Sequence, residues 1–410
     1  MSRTSAPTAE IQPMQKAGAV SAPGGLSVPG NMTCLVKERL EEPGVLLTSR
    51  PVPSLRSETD VRIKVWATAI CGTDKHIFNS EHGTIAAMKP KTGAYTPVVI
   101  GHEFCGTVES VGTGVSSLRP GDYVTAEMHL VCGRCYACRT GNSHVCTETR
   151  IKGLHDDGCF AQYVVLPESN VILLGRDRDT SKVPPQIAAF LDAIGNAAHT
   201  VQSITATAHS VAVLGAGPIG LAAVAFLRTI GASTILVTDA ANPKAGFGSE
   251  LVQQRLKLAQ ELGADHVFDV ADPAQHAEFK KIAHAQPHGG VDAVIEMSGS
   301  YRAYEDAFDI LRMGGEMALL GLPNGEMKLD FSRRVIFKGI TLRGVIGRRM
   351  YSTWYFMLDL IASQRSGLRE KLQRIVTHPD LSLEQHGQGF DAINRGAGLK
   401  VVMYPNGLSG

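Results

Sequence analysis

Val211-Ala-Val-Leu-Gly215-Ala-Gly217-Pro218-Ile219-Gly220 is a short apolar run that turns through G-x-G-x-x-G into a helical stretch over 219–230. Gly215 permits a tight turn, Gly217 lets backbone approach a pyrophosphate, and Gly220 allows a helix to pack closely on a strand. Pro218 and Ile219 sit at the helix start, where unpaired N–H groups and a partial positive charge favour phosphate. Alone, the fingerprint also fits a glycine-rich turn in some other α/β protein. Here a second apolar strand follows and ends at Asp239, nineteen residues after Gly220, where an acid would bind the adenosine ribose hydroxyls. That acid repels a 2′-phosphate, so the expected cofactor is NAD. A loop over 242–250 is inserted beside this pocket, and its Lys244 could approach a phosphate.

The surrounding chain repeats the strand–helix alternation. Strands at 211–214, 234–238, 291–296 and 316–320 are interleaved with helical spacing at 219–230, 251–262 and 301–311. This is the pattern of a parallel, doubly wound sheet. Before about Pro184 the grammar differs. Val61, Ile63, Val65, Ala67 and Ala69 alternate with Arg62, Lys64, Trp66 and Thr68, the period of a half-buried strand. Phe104–Val111 and Tyr123–Ala126 are strand-like too, parted by the turn Arg119-Pro-Gly-Asp122. Short strands with such punctuation predict a compact β-rich domain. Beyond 346 come a predicted helix over 352–363 and a short apolar segment over 399–403.

A length of 410 residues suggests two or three domains, and 19% charged with 44% hydrophobic residues is ordinary globular composition. A net charge of +1 lacks the basic footprint of a nucleic-acid binder. Residues 210–227 are uncharged, but three glycines and Pro218 interrupt them, so no membrane span is expected. Residues 1–30 contain no secretory apolar run and read as a disordered tail. A cytoplasmic location is the default.

Eight cysteines in a long chain without a signal peptide point to metal binding or catalysis rather than disulfides. Cys132, Cys135, Cys138 and Cys146 follow the spacing C-x2-C-x2-C-x7-C, which suits four thiolates closed around a structural zinc. A ferredoxin-type cluster would end in C-x3-C-P, which is absent. Cys34, Cys105 and Cys159 lie in apolar contexts and read as buried, inert thiols.

Cys71-Gly-Thr73-Asp-Lys-His76 directly follows the alternating strand, and Gly101-His102-Glu103 places His102 thirty-one residues after Cys71. Together with the four cysteines and the dinucleotide fingerprint, these motifs resemble the zinc-dependent medium-chain dehydrogenases, from about Asn31 to Pro405. Within that family the threonine dehydrogenase branch is the most similar. The carrying segments are 71–77, Asp192-Ala-Ile-Gly-Asn-Ala-Ala-His-Thr200, 296–299 and the long run over 335–355.

The resemblance implies a GroES-like catalytic domain over 31–189 and 347–410, around a Rossmann cofactor domain over 190–346. It implies Cys71 and His102 as catalytic zinc ligands, Glu103 as a third or exchangeable one, and Asp192 as a ligand direct or through water. From the residues alone, Asp192 could equally be a helix N-cap. Thr73 and His76 match a hydroxyl-to-imidazole proton relay, and His129 matches a histidine near the substrate. Two zinc ions per chain, a small-molecule alcohol substrate and a homotetramer are implied as well. The chemistry is coherent, because zinc lowers the pKa of bound water from 15.7 to about 7. A comparable shift for an alcohol corresponds to about 12 kcal/mol, at about 1.36 kcal/mol per unit. The implied activity is oxidation of L-threonine to 2-amino-3-oxobutanoate. A polyol or vicinal-diol dehydrogenase is the alternative. Ala193 in place of the proline expected after Asp192 and the long loop over 83–95 are departures from the family pattern.

Overall fold

The computed structural model describes residues 29–90, 93–241 and 248–410. Residues up to 28, residues 91–92, and 242–247 of the loop expected over 242–250, Lys244 included, lie outside the described residues, while Ser249 and Glu250 already belong to helix Ser249–Leu262. The segment expected as a long loop before Pro97 is partly helical: His82–Met88 forms a short helix. Ile85 and Met88, three residues apart on one face, are buried there.

Six strands form one sheet in the order His266–Asp269, Thr234–Asp239, Ser210–Leu214, Val291–Glu296, Leu311–Leu319, Thr341–Gly344. Every pairing in it is parallel. Ser210–Leu214 is buried at every position, as a parallel strand covered on both faces must be. Strand order reverses between Ser210–Leu214 and Val291–Glu296. In such sheets the crevice at the carboxyl ends of these strands receives the ligand.

A second, seven-stranded sheet is centred on Asp60–Ala69. Phe104–Val111 and Tyr163–Pro167 pair with it antiparallel. Val61, Ile63, Val65, Ala67 and Ala69 are all fully buried, so the two-residue period seen in the sequence is the core face. The end of the chain returns to this sheet, with Lys400–Met403 pairing antiparallel to the end of Asp60–Ala69. The helices Ser352–Ala362 and Leu368–Gln373 instead pack on Leu191–Gln202 and Pro218–Thr229. One continuous core therefore joins Ala67, Leu191, Val211, Leu221, Trp354 and Val402. It holds the start of helix Leu191–Gln202 against strand Asp60–Ala69, which leads into Cys71. Among the described residues no helix is long and apolar enough to cross a membrane.

Candidate active site and metal centres

Cys71 follows strand Asp60–Ala69 and caps helix Gly72–Phe78. Its backbone N–H donates to Asp74 Oδ2 at 2.9 Å. Asp74 is fully buried, and its Oδ1 lies 3.6 Å from His102 Nδ1. One carboxylate thus braces both residues, the usual support behind a metal-ligating histidine. Gly101 precedes His102 at φ +92°, and a side chain there would overlap the Phe160 ring, so the turn that delivers His102 requires glycine. Donor atoms of Cys71, His102 and Glu103 all lie within 4.8 Å of one another. Burial works against charge on His102, yet Asp74 and Cys71 outweigh it and hold the imidazole well above its ordinary range. The cluster attracts a cation, and a thiolate, an imidazole and a carboxylate suit zinc. Glu103 also meets a partner that sequence reading missed: both its oxygens accept from Lys400 Nζ, at 2.9 and 2.7 Å.

Asp192 falls into a different group. The N-cap of helix Leu191–Gln202 is Phe190, so Asp192 stands in the first turn and is not the cap. Its carboxylate pairs with the Arg348 guanidinium. It clusters with Glu127 and His129 rather than with Cys71, His102 and Glu103. Glu127 is fully buried and organises this region. It accepts from Arg348 at 2.5 Å, from Trp354 Nε1 at 2.9 Å and from the His129 backbone at 3.0 Å. His129 Nδ1 lies 2.7 Å from the same carboxylate. Burial opposes its charge, but Arg348 and His129 hold Glu127 well below the usual carboxylate range. This third donor cluster already contains its cation, Arg348, which is 2% exposed. Glu127, His129, His144, Ile346, Arg348 and Met350 line a cavity of about 400 Å³. Glu127, Arg348 and Trp354 carried no individual signal in the sequence, although the last two lie inside the run over 335–355.

The four clustered cysteines meet as their spacing predicts. Cys146 Sγ lies 3.6 Å from Cys132 Sγ and 3.9 Å from Cys135 Sγ. A tetrahedron with Zn–S bonds of about 2.3 Å has S···S edges of about 3.8 Å, so the set fits zinc. Backbone N–H groups of Cys132, Cys135 and Glu148 approach these sulfurs at 3.4 Å. The Cys138 backbone leads the influences that pull Cys135 down to about 6, which favours a thiolate. Cys34, Cys105 and Cys159 are wholly buried, and burial raises Cys34 to about 11 and Cys105 to about 12. Buried and held as thiols, they suit the inert role expected of them.

At the parallel sheet, Gly215 has φ +112°. A side chain at Gly220 would overlap the Gly215 carbonyl oxygen, whereas Gly217 faces open space. Gly217 caps helix Pro218–Thr229 with Pro218 in its first turn, which leaves room and free N–H groups for a pyrophosphate. Asp239 ends strand Thr234–Asp239, and Arg255 Nη1 lies 3.7 Å from its Oδ2. Thr73 and His76 are one helical turn apart on Gly72–Phe78 and so share a face. His76 Nδ1 lies 2.7 Å from Glu81 Oε2, with both side chains nearly half exposed. This pair opens towards solvent, and Glu81 was not singled out from the sequence.

Residues 57–176 match the family described as alcohol dehydrogenase GroES-like domain, and 218–363 match zinc-binding dehydrogenase. An L-threonine 3-dehydrogenase of Caldanaerobacter subterraneus subsp. tengcongensis is 39% identical over 376 residues, covering 92% of this chain and 99% of that protein. One from Bacillus subtilis is 38% identical, over 88% of this chain and 95% of its own. The alcohol dehydrogenase structure from Thermus sp. ATN1 superposes with a TM-score of 0.72 at 27% identity, covering 91% of this chain and 99% of that one.

Proposed function

The chain belongs to the zinc-dependent medium-chain dehydrogenases, close to the threonine dehydrogenases, and on that premise we propose that it oxidises L-threonine at its 3-hydroxyl to 2-amino-3-oxobutanoate with NAD. One observation carries the choice of substrate. The cavity lined by Glu127, His129 and Arg348 presents a guanidinium that is paired with Glu127 and, behind it, with Asp192. Two carboxylates against one guanidinium leave an excess of negative charge, which suits the ammonium of an amino acid and offers a neutral diol no matching charge.

In this reading Cys71, His102 and Glu103 surround the catalytic zinc while Asp192, paired with Arg348, stands outside that set, and Cys132, Cys135, Cys138 and Cys146 hold a structural one. The catalytic zinc, when bound, supplies the Lewis acidity that makes an alcohol ionisable near neutral pH. Thr73 and His76 carry the released proton outward to solvent, with the Glu81 carboxylate holding the His76 ring at the surface. His129, tied to Glu127, orients the substrate. Gly215, Gly217, Pro218, Ile219 and Gly220 cradle the pyrophosphate, and Asp239 holds the ribose hydroxyls and selects NAD. We assign 31–189 and 347–410 to the catalytic domain and 190–346 to the cofactor domain.

A homotetramer is supported by exposed apolar side chains on the cofactor domain. Leu322 is 90% exposed, and Phe331, Ile336 and Phe337 are also largely exposed. Among the described residues Thr341–Gly344 is paired on one side only, and such an edge invites pairing with another chain. Eight cysteines without a disulfide suit the reducing cytoplasm. The deciding experiment compares NADH production from L-threonine, D-threonine, sorbitol and 2,3-butanediol at matched concentrations. A diol exceeding L-threonine about tenfold in kcat/KM, about 1.4 kcal/mol, would replace the threonine assignment with a diol dehydrogenase.

A further inference from the structure

The cavity that holds Glu127, His129 and Arg348 is walled on one side by the lobe carrying the four clustered cysteines, through His144, Cys146 and Thr149. His144 sits in the helical turn Ser143–Val145, between Cys138 and Cys146. Its ring meets that of His199 edge to face, with centroids 5.3 Å apart and an interplanar angle of 86°. His199 is buried in helix Leu191–Gln202, and its Nδ1–H donates to the Gly347 carbonyl at 3.0 Å, one residue before Arg348. Two imidazoles thus pack the cysteine lobe, this helix and the Arg348 segment together around the cavity.

The other polar side chains of the cavity wall are already engaged. Glu127 pairs with Arg348, Arg348 also with Asp192, His129 Nδ1 with Glu127, and Thr149 Oγ1 donates to the Cys146 carbonyl. His144 differs. Its Nδ1 is sealed from solvent and has no hydrogen-bond partner among the described residues. An imidazole carries at least one N–H, and a buried N–H without an acceptor is rarer and costlier than a buried lone pair. The proton therefore belongs on Nε2, the nitrogen left for a ligand. The Arg349 guanidinium lies within electrostatic reach of both rings, so a donor backed by a cation stands on the His144 side. Negative charge is in excess beside Glu127 and Asp192, where the carboxylate of an amino acid is repelled. We propose that His144 is the residue that recognises the substrate carboxylate, donating from Nε2, and that the cysteine lobe is thereby part of the substrate site. The inference deepens the threonine reading and rests on it.

The test uses the full-length, zinc-loaded enzyme with NADH bound. Two probes are titrated separately by calorimetry: L-2-aminobutyrate, which is threonine without its hydroxyl, and propylamine, which also lacks the carboxylate. The wild type should bind L-2-aminobutyrate more tightly than propylamine. In His144→Phe, which keeps an aromatic ring but no donor, Kd for L-2-aminobutyrate should rise at least about tenfold, about 1.4 kcal/mol. Kd for propylamine should stay unchanged. His144→Gln, whose amide still donates, should bind both probes like the wild type. His144→Glu should weaken L-2-aminobutyrate at least as much, by repulsion, and leave propylamine no weaker. That variant decides the matter if His144→Phe loses its structural zinc. Equal loss of both probes, or loss of neither, would make His144 a packing residue and overturn the proposal. Failure of the threonine reading looks different: the wild type itself would bind both probes alike and oxidise 2,3-butanediol in preference to L-threonine, and both inferences would fall together.

Discussion

Gly195→Ala should destabilise the protein and weaken substrate binding, against the ordinary effect of that substitution. Inside a helix, glycine is less favourable than alanine by about 1 kcal/mol, and Gly195 lies in the middle of Leu191–Gln202. At this position, however, a methyl group would stand 2.6 Å from Arg348 Cδ and 3.3 Å from its Cβ. Carbon atoms prefer about 3.5–4.0 Å, so Arg348 or the helix must give way by about 1 Å. Arg348 has little freedom to do so. Its guanidinium is bonded to Glu127 at 2.5 Å, paired with Asp192, and lies 5.6 Å from the centre of the Trp354 ring. Overpacking costs about 1–3 kcal/mol, and a loosened charged hydrogen bond adds about 1.5–3 kcal/mol. Set against the helical gain, the net loss is about 1.5–5 kcal/mol. Thermal unfolding should shift downward, and kcat/KM for L-threonine should fall at least about tenfold, about 1.4 kcal/mol. A variant more stable than wild type with unchanged kcat/KM would refute the view that Gly195 makes room for a clamped Arg348.

Elemental analysis of purified protein should give about two zinc per chain, one for each closed or open donor set. Cys71→Ala should lose about one equivalent while keeping its circular dichroism spectrum, and iron or a single zinc in the wild type would contradict this. Asp239→Gly should narrow the difference in Kd between NADH and NADPH measured by fluorescence titration. A wild type that binds NADPH more tightly would move specificity away from Asp239. Glu127 has a depressed carboxyl pKa, so its contribution is complete above the ordinary glutamate value of about 4.3 and fades as pH falls towards its folded value. Glu127→Gln, which leaves Arg348 undercompensated, should cost about 3–5 kcal/mol near neutrality. The stability gap to the wild type should close in denaturant titrations below about pH 4. A gap independent of pH would mean that Glu127 carries no charge in the folded protein.

Function was legible wherever chemistry is written in neighbouring residues. The thiolate spacing from Cys132 to Cys146, the turn Gly215–Gly220, and the adjacent His102 and Glu103 each bring their atoms together through local backbone geometry. The alternation of Val61 to Ala69 likewise announces a strand, because side chains on a pleated strand face opposite sides in turn.

What tertiary structure alone decided is which charges share a buried space. Arg348 meets Glu127 across 221 residues of chain, and Lys400 meets Glu103 across 297. A single lysine or arginine has no periodicity or spacing that names its partner, so neither pair could be read in advance. For Asp192 the sequence offered a metal ligand or a helix cap, and the fold set it in the first turn of the helix against Arg348. The physical reason is the same in each case. A buried charge is settled by the nearest opposite charge, and distance in space is fixed by the packing of the two sheets through one core, not by separation along the chain.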